Sequence, residues 1–236
     1  MTADILLLSG GGINLEPIDE FLGDQRSVLF APYALADQDR YTARIQEVLA
    51  PLNVSVVGLD RVPDPAEAIG QAAILFVGGG NSFRLLGAFQ RLGLLEIVRR
   101  RVRSGALRYL GSSAGSNLAC PTIRTTNDMP IVELPSLKAL GLIPFQINPH
   151  YQDADPNSTH QGETREQRLL QFLEENDVPV LGLREGAWLR RTGEQALLGG
   201  QTGARLFLRG AEPRELREGA DLSWLLGLPA RFDAER

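Results

Sequence analysis

The chain has 236 residues, 43% of them hydrophobic and 22% charged, with a formal net charge of −5. That length supports a sizeable core and a single domain over residues 1–236, while the acidic balance excludes the basic stripe that a nucleic-acid or anionic-membrane surface requires. No apolar run approaches the roughly 20 residues of a membrane span, the early "ILLL" is too short for a signal sequence, and the single cysteine, Cys120, permits no internal disulfide.

The expectation is a cytoplasmic α/β protein without membrane or nucleic-acid partners. In chain order, Asp4 to Ser9, Ser27 to Tyr33, Val54 to Leu59, Ala73 to Gly78 and Leu107 to Ser113 read as buried strands. Their apolar runs are continuous rather than alternating, as in a parallel sheet covered on both faces. Between them, 37–52 and 83–105 repeat their apolar residues at helical spacing. Gly162 to Asn176 reads as a helix and Val178 to Leu183 as another buried strand; 187–200 and 204–210 then read as shorter antiparallel strands joined by glycine turns. The alternation predicts a doubly wound, mostly parallel sheet with helices on both faces and extra antiparallel strands toward the C-terminus.

In such sheets ligands sit beyond the carboxyl ends of the strands. Three of those ends carry glycine: "SGGG" from Ser9, "VGGGN" from Val77 and "GSSAGSN" from Gly111. The first two lack the Lys-Ser/Thr of a P-loop and the spacing of a dinucleotide fingerprint, so each is either a tight turn or a cradle of backbone N–H groups. The third fits G-x-S-x-G, a turn in which glycines relieve crowding around a strained serine with an exposed hydroxyl. With 25 glycines in the chain such a match is easily met by chance. Its position between a buried strand and a small-residue helix start is what gives it weight. The pattern selects Ser113; Ser112 and Ser116 fall out of phase.

A serine hydroxyl needs a base, and the chain has only two histidines, His150 and His160. His150 ends "FQINPH", a strand-like run leaving through a proline; His160 lies in a polar loop, where solvent exposure is the plainer expectation. For the acid that orients the base, Glu185 follows a buried strand directly, whereas the alternatives Asp128, Asp153 and Asp155 lie in loops. The order Ser, His, acid differs from the Ser, acid, His of the α/β-hydrolases. An oxyanion hole would draw on the N–H of Ala114 and, if its strand lies beside the nucleophile strand, on Gly79 or its neighbour.

Thr164 and Gln167 have capping-box spacing, which puts Arg165 and Arg168 in the first helical turn, against the dipole. Such a cluster suits a substrate carboxylate. Arg124 is a second candidate, and Asp128 or Glu163 could hold a substrate ammonium. Cys120, Trp188 and Trp224 read as packing residues, and Arg99 to Gly105 as a solvated helix end.

The motifs "SSAGSNLACPTIRTTNDMPIV", "INPH", "GETREQR", "GLREG" and "GGGN" resemble, in order and spacing, those of the S51 serine peptidases over nearly the whole chain. The resemblance implies a fold like the class I glutamine amidotransferases with serine in place of cysteine, and hydrolysis of short peptides with an N-terminal aspartate. It also implies no metal or other cofactor. Carried across, it makes Ser113 the nucleophile, His150 the base and Glu185 the acid, with Arg165 on the aspartyl carboxylate and Asp128 near the histidine or the substrate amine. One departure is Ser112, where the family has tryptophan. The expected partners are small peptides, and a homodimer is the oligomer to test for. Rival readings are a cyanophycinase-like peptidase acting on β-Asp-Arg units, an inactive small-molecule-binding domain, and a metal site of His150, Asp153 and His160.

Overall fold

The computed structural model describes residues 3–10, 14–157, 159 and 161–234. The elements in order are β1 (Asp4–Leu8), α1 (Leu15–Leu22), β2 (Ser27–Ala31), α2 (Gln38–Leu49), β3 (Ser55–Gly58), α3 (Pro65–Gln71), β4 (Ile74–Val77), α4 (Ser82–Arg91), α5 (Leu94–Arg103), β5 (Arg108–Ser112) and α6 (Ala114–Ala119). They continue as β6 (Gln146–Tyr151), α7 (Arg165–Glu175), β7 (Val180–Arg184), β8 (Trp188–Thr192), β9 (Gln195–Gly199), β10 (Ala204–Phe207) and β11 (Arg214–Leu216). Side-chain caps start most helices: Asn14 for α1, Asp37 for α2, Asp64 with Pro65 for α3, and Asn81 for α4.

The main sheet runs β3-β2-β4-β5-β1-β8-β9. The strands from β3 to β1 pair in parallel, and β8–β9 is an antiparallel hairpin on the β1 edge. Because side chains alternate across a strand, each strand feeds two cores. Ile5, Leu7, Leu75, Val77 and Tyr109 face α3 to α6, while Leu6, Leu8, Phe30, Phe76 and Leu110 face α1 and α2. On the second face Phe30 meets Tyr41 and Phe76 edge-on at centroid separations of 5.0 and 5.2 Å, contacts worth about 0.5–1.5 kcal/mol each beyond area burial. The expected α/β architecture with helices on both faces and C-terminal antiparallel strands is present.

Three features differ from the sequence reading. β6 and β7 do not join the main sheet; with β10 and β11 they form a second, four-stranded sheet in the order β11-β10-β7-β6, its β6–β7 pair parallel. The helical pattern over 83–105 is two helices, broken where Gly93 takes a left-handed φ of 66°. The arginines near its end are not merely solvated. Arg99 donates to the carbonyls of Leu140 and Ala139, Arg101 to those of Ile69 and Ala72, and Arg103 to that of Gly141. They therefore bind α5 to its neighbours through carbonyls that would otherwise lack donors. Of the two tryptophans, Trp188 packs against Gly199, whereas Trp224 is 45% exposed.

The topology places three strand ends side by side. Leu8 of β1 pairs with Ser112 of β5, and Gly111 of β5 with Val77 of β4, so Ser9, Ser113 and Gly78 emerge along one edge. The second sheet sets the ends of β6 and β7 beside them.

Candidate active site

The chain turns from β5 into α6 at Ser113, which has φ 53° and ψ −107°, a strained conformation for a residue with a Cβ. Both flanking glycines are sterically required. A Cβ on Gly115 would lie 2.2 Å from the Val77 carbonyl oxygen, and one on Gly111 would lie 2.7 Å from the Gly115 oxygen. The buried Tyr109 hydroxyl donates to Gly115 O at 2.7 Å, and Ser116 Oγ donates to Leu8 O at 2.7 Å. Ser116 is thus a brace that ties the turn to β1. Ser112 lines the cavity beside it.

His150 sits where β6 slips register against β7 between Pro149 and Tyr151. Such an irregularity re-aims one side chain, and His150 has φ 52° there. Its Nε2 is 2.8 Å from Ser113 Oγ and its Nδ1 is 2.9 Å from Glu185 Oε1. Glu185 follows β7, the parallel neighbour of β6, which is why two residues 35 apart in sequence meet. The expected three residues therefore form one hydrogen-bonded row. Glu185 is 54% exposed and the His150 side chain 35%, so the row opens to solvent at the acid end. His160, the alternative base, lies outside the described residues.

The other acids considered for Glu185's place are held elsewhere. Asp153 takes Arg184 Nε at 2.8 Å and its Nη2 at 3.0 Å; this hydrogen bonding holds its carboxyl below the ordinary aspartate range. Asp155 accepts the N–H of Asn157. Asp128 Oδ2 accepts the Ser82 N–H at 2.7 Å, at the start of α4, and the Thr126 hydroxyl at 3.0 Å. His150's ring nitrogens face Ser113 and Glu185, and Asp153 faces Arg184; among the described residues no group of three acids, histidines or cysteines could hold a metal ion.

Arg184 is a residue that the sequence did not single out. It bridges Asp153, after β6, to Glu215 of β11, with its side chain only 18% exposed, and so ties the strand end that presents Glu185 to the loop beyond His150. Arg184→Met is expected to lower thermal stability by about 1–2 kcal/mol, a modest sum because both acids are half exposed. It should also lower kcat several-fold with KM little changed, read from a melting curve and steady-state kinetics.

Two further residues shape the base. Ser9 Oγ accepts the His150 N–H at 2.8 Å and donates to Leu183 O at 2.7 Å, pinning β6 and β7 to the end of β1. Gly10 lies against the imidazole, where a Cβ would fall 2.3 Å from Cε1. Ser9 and Gly10 of "SGGG" are therefore part of the site, while Gly11 and Gly12 lie outside the described residues.

For the donors expected around an oxyanion, Ala114 opens α6, where its N–H has no intrahelical acceptor. β4 is indeed the neighbour of β5, and a Cβ on Gly79 would lie 3.1 Å from Ser113 Cβ. The Tyr41 phenol lies against the same turn, where a Cβ on Gly78 would fall 2.5 Å from its hydroxyl. Burial raises the pKa of that phenol, while the Gly79 contact and the Arg44 cation act in the opposite direction.

The capping box at Thr164 and Gln167 is present, with reciprocal bonds of 2.8 and 3.2 Å, so Arg165 starts α7 as expected. Arg165 lies with Asp128 and Asn148 along a cavity of about 300 Å³. Burial first and Arg168 second lower its pKa, and Asp128 opposes them. Among the described residues no carboxylate is within ion-pair distance of Arg165. Glu163 instead faces Arg168 at 3.8 Å and accepts from Gln171 at 2.7 Å. Arg124, the second candidate for an anion, is paired with Asp233 at 2.7 Å. The Asp128 segment is fixed by Thr125 Oγ1 donating to Ile147 O, Asn127 Nδ2 to Pro149 O, and Asn148 Nδ2 to Thr125 O. Cys120 is fully buried, its thiol pushed up to about 12 by burial, and its sulfur accepts the Ile147 N–H.

A serine hydrogen-bonded to a histidine that an acid orients is the arrangement acyl transfer requires. The sequence matches the model of peptidase family S51 over residues 5–199, and the chain belongs to that family. It is 58% identical over 219 residues to peptidase E of Streptomyces coelicolor, covering 93% of this chain and 90% of that one. To the probable alpha-aspartyl dipeptidase of Drosophila melanogaster it is 48% identical over 201 residues, covering 85% of this chain and 84% of that one. The crystal structure of a putative peptidase E protein from Listeria monocytogenes shares the fold, with a TM-score of 0.69 at 22% identity, over 85% of this chain and 99% of that one. Among the described residues no helix is long and apolar enough to cross a membrane.

Proposed function

We propose that this peptidase is a cytoplasmic serine exopeptidase that removes an N-terminal aspartate from dipeptides and short peptides, the whole chain acting as one catalytic domain. The observation that carries the reading is the row Ser113–His150–Glu185, at 2.8 and 2.9 Å. Ser113 Oγ attacks the carbonyl of the aspartyl residue as its proton passes to His150 Nε2, while Glu185 accepts the Nδ1–H and stabilises the imidazolium. The N–H of Ala114 and a donor from the Gly79–Gly80 turn take the oxyanion. His150 then protonates the leaving amine as the C–N bond breaks, and water, deprotonated by the same ring, hydrolyses the ester.

The side chain and the amine of an N-terminal aspartate carry opposite charges on adjacent carbons. Arg165 and Asp128, lining one cavity, match that pair, the arginine taking the carboxylate and the aspartate the ammonium. Glu163, turned to Arg168 and Gln171, borders the neighbouring cavity. A dipeptide panel tests the assignment. Asp-Leu should be hydrolysed at least about tenfold faster than Asn-Leu, the cost of losing a charged hydrogen bond, and faster than Glu-Leu. Equal rates would refute the aspartyl preference, and faster release from β-Asp-Arg would favour the cyanophycinase-like alternative.

A further inference from the structure

Ser113 and His150 line a cavity of about 480 Å³ whose facing wall is supplied by α2 and the loop before it: Leu35, Tyr41, Arg44, Ile45 and Val48. Positions 41, 44, 45 and 48 form one stripe of the helix. Ile45 is buried in the core beneath, Tyr41 and Val48 are half-buried, and Arg44 is exposed. Helix α2 thus turns an apolar face with a single cation toward the nucleophile. Among the described residues that line it there is no acid, so no carboxylate there matches the ammonium of an N-terminal residue. Among the described residues no carboxylate lies within ion-pair distance of Arg44.

We propose that this cavity receives the leaving residue of a dipeptide, with Arg44 binding its free C-terminal carboxylate and Leu35, Ile45 and Val48 taking an apolar side chain; the inference rests on the aspartyl peptidase reading above. The scale supports it. Tyr41 packs on Gly78, where a Cβ would meet its hydroxyl at 2.5 Å, and the adjoining Gly79 abuts Ser113. Tyr41 therefore marks the level of the scissile bond. Arg44 stands three residues along the helix, a rise of about 4.5 Å, and the carboxylate of a dipeptide lies one residue, about 3.8 Å, beyond that bond. Ser112 lines the same cavity. Its small side chain leaves that part of the cavity open. Arg44 is in this account a specificity residue, acting on the substrate's end and not on the reacting atoms.

The test compares Asp-Leu with Asp-Leu-amide, which lacks the terminal charge, in wild type, Arg44→Gln and Arg44→Lys. In wild type Asp-Leu should be preferred. In Arg44→Gln the ratio of kcat/KM for Asp-Leu over the amide should fall about tenfold, through KM, as expected for one solvent-accessible charge-assisted contact; Arg44→Lys should restore part of it. Ser112→Trp should lower the rate on Asp-Leu relative to Asp-Gly by filling the cavity. A ratio that does not move in Arg44→Gln, or a proportional loss on both substrates, overturns the proposal. If wild type cleaves neither substrate, the aspartyl peptidase reading itself fails, a result distinct from either.

Discussion

Ser113→Ala is expected to lower kcat/KM for Asp-Leu by about 10⁴- to 10⁶-fold, the range over which a serine nucleophile differs from residual binding and oxyanion stabilisation. The variant should fold. Among the described residues the Ser113 hydroxyl has one hydrogen-bond partner, His150, and alanine bears the positive φ of 53° no worse than serine does. The melting temperature should therefore shift by no more than about 1–2 °C. His150→Ala should cost a comparable factor, and the double variant little more than either, because groups that act as one unit are not additive. Glu185→Gln should cost less: with Glu185 more than half exposed, water can meet the Nδ1–H in its place. A folded Ser113→Ala that still hydrolyses Asp-Leu, or a wild type that fails to react with a serine-directed fluorophosphonate, would remove the serine from the mechanism and revive the reading of a binding domain.

The parts of this site that the sequence made legible are those whose constraint is local. G-x-S-x-G can be read because the turn itself cannot form with a Cβ at Gly111 or Gly115. The Thr164–Gln167 capping box is legible for the same reason: both of its hydrogen bonds close within three residues. His150 emerged by scarcity, and Glu185 by its place at a strand end. What stayed hidden depends on partners far along the chain. Apolar runs at Gln146 to Tyr151 and Val180 to Arg184 declare strands but not which sheet they join, so the second sheet could not be read from them. The sequence ranks Asp153 below Glu185 only as a loop acid; that Arg184, 31 residues away, claims it could not be read there. Tyr41 and Arg44 belong to an amphipathic helix whose pattern any surface helix shares. Their significance comes from β4 and β5 ending beside it.

Gly10→Ala is the second large effect expected, and it tests the least legible part of the site. The residue has φ +127°, a region open in practice only to glycine, and its added methyl would fall 2.3 Å from Cε1 and 2.7 Å from Nε2 of His150. Real Cβ atoms do not approach so closely, so the ring must shift by about an ångström, away from Ser113 or Glu185. Misplacement on that scale costs about 10²-fold in rate, and the backbone strain about 1–3 kcal/mol of stability, a fall of several degrees in melting temperature. Gly23 provides the control. It too has positive φ, 55°, but a Cβ there meets nothing within 4 Å, so Gly23→Ala should lower the melting temperature while kcat stays near wild type. If Gly10→Ala lost only as much activity as its destabilisation explains, tracking Gly23→Ala, then the imidazole would not depend on that glycine for its position. Loss of kcat in the still-folded Gly10→Ala, with KM little altered, would show that an N-terminal turn 140 residues from the histidine sets where the base stands.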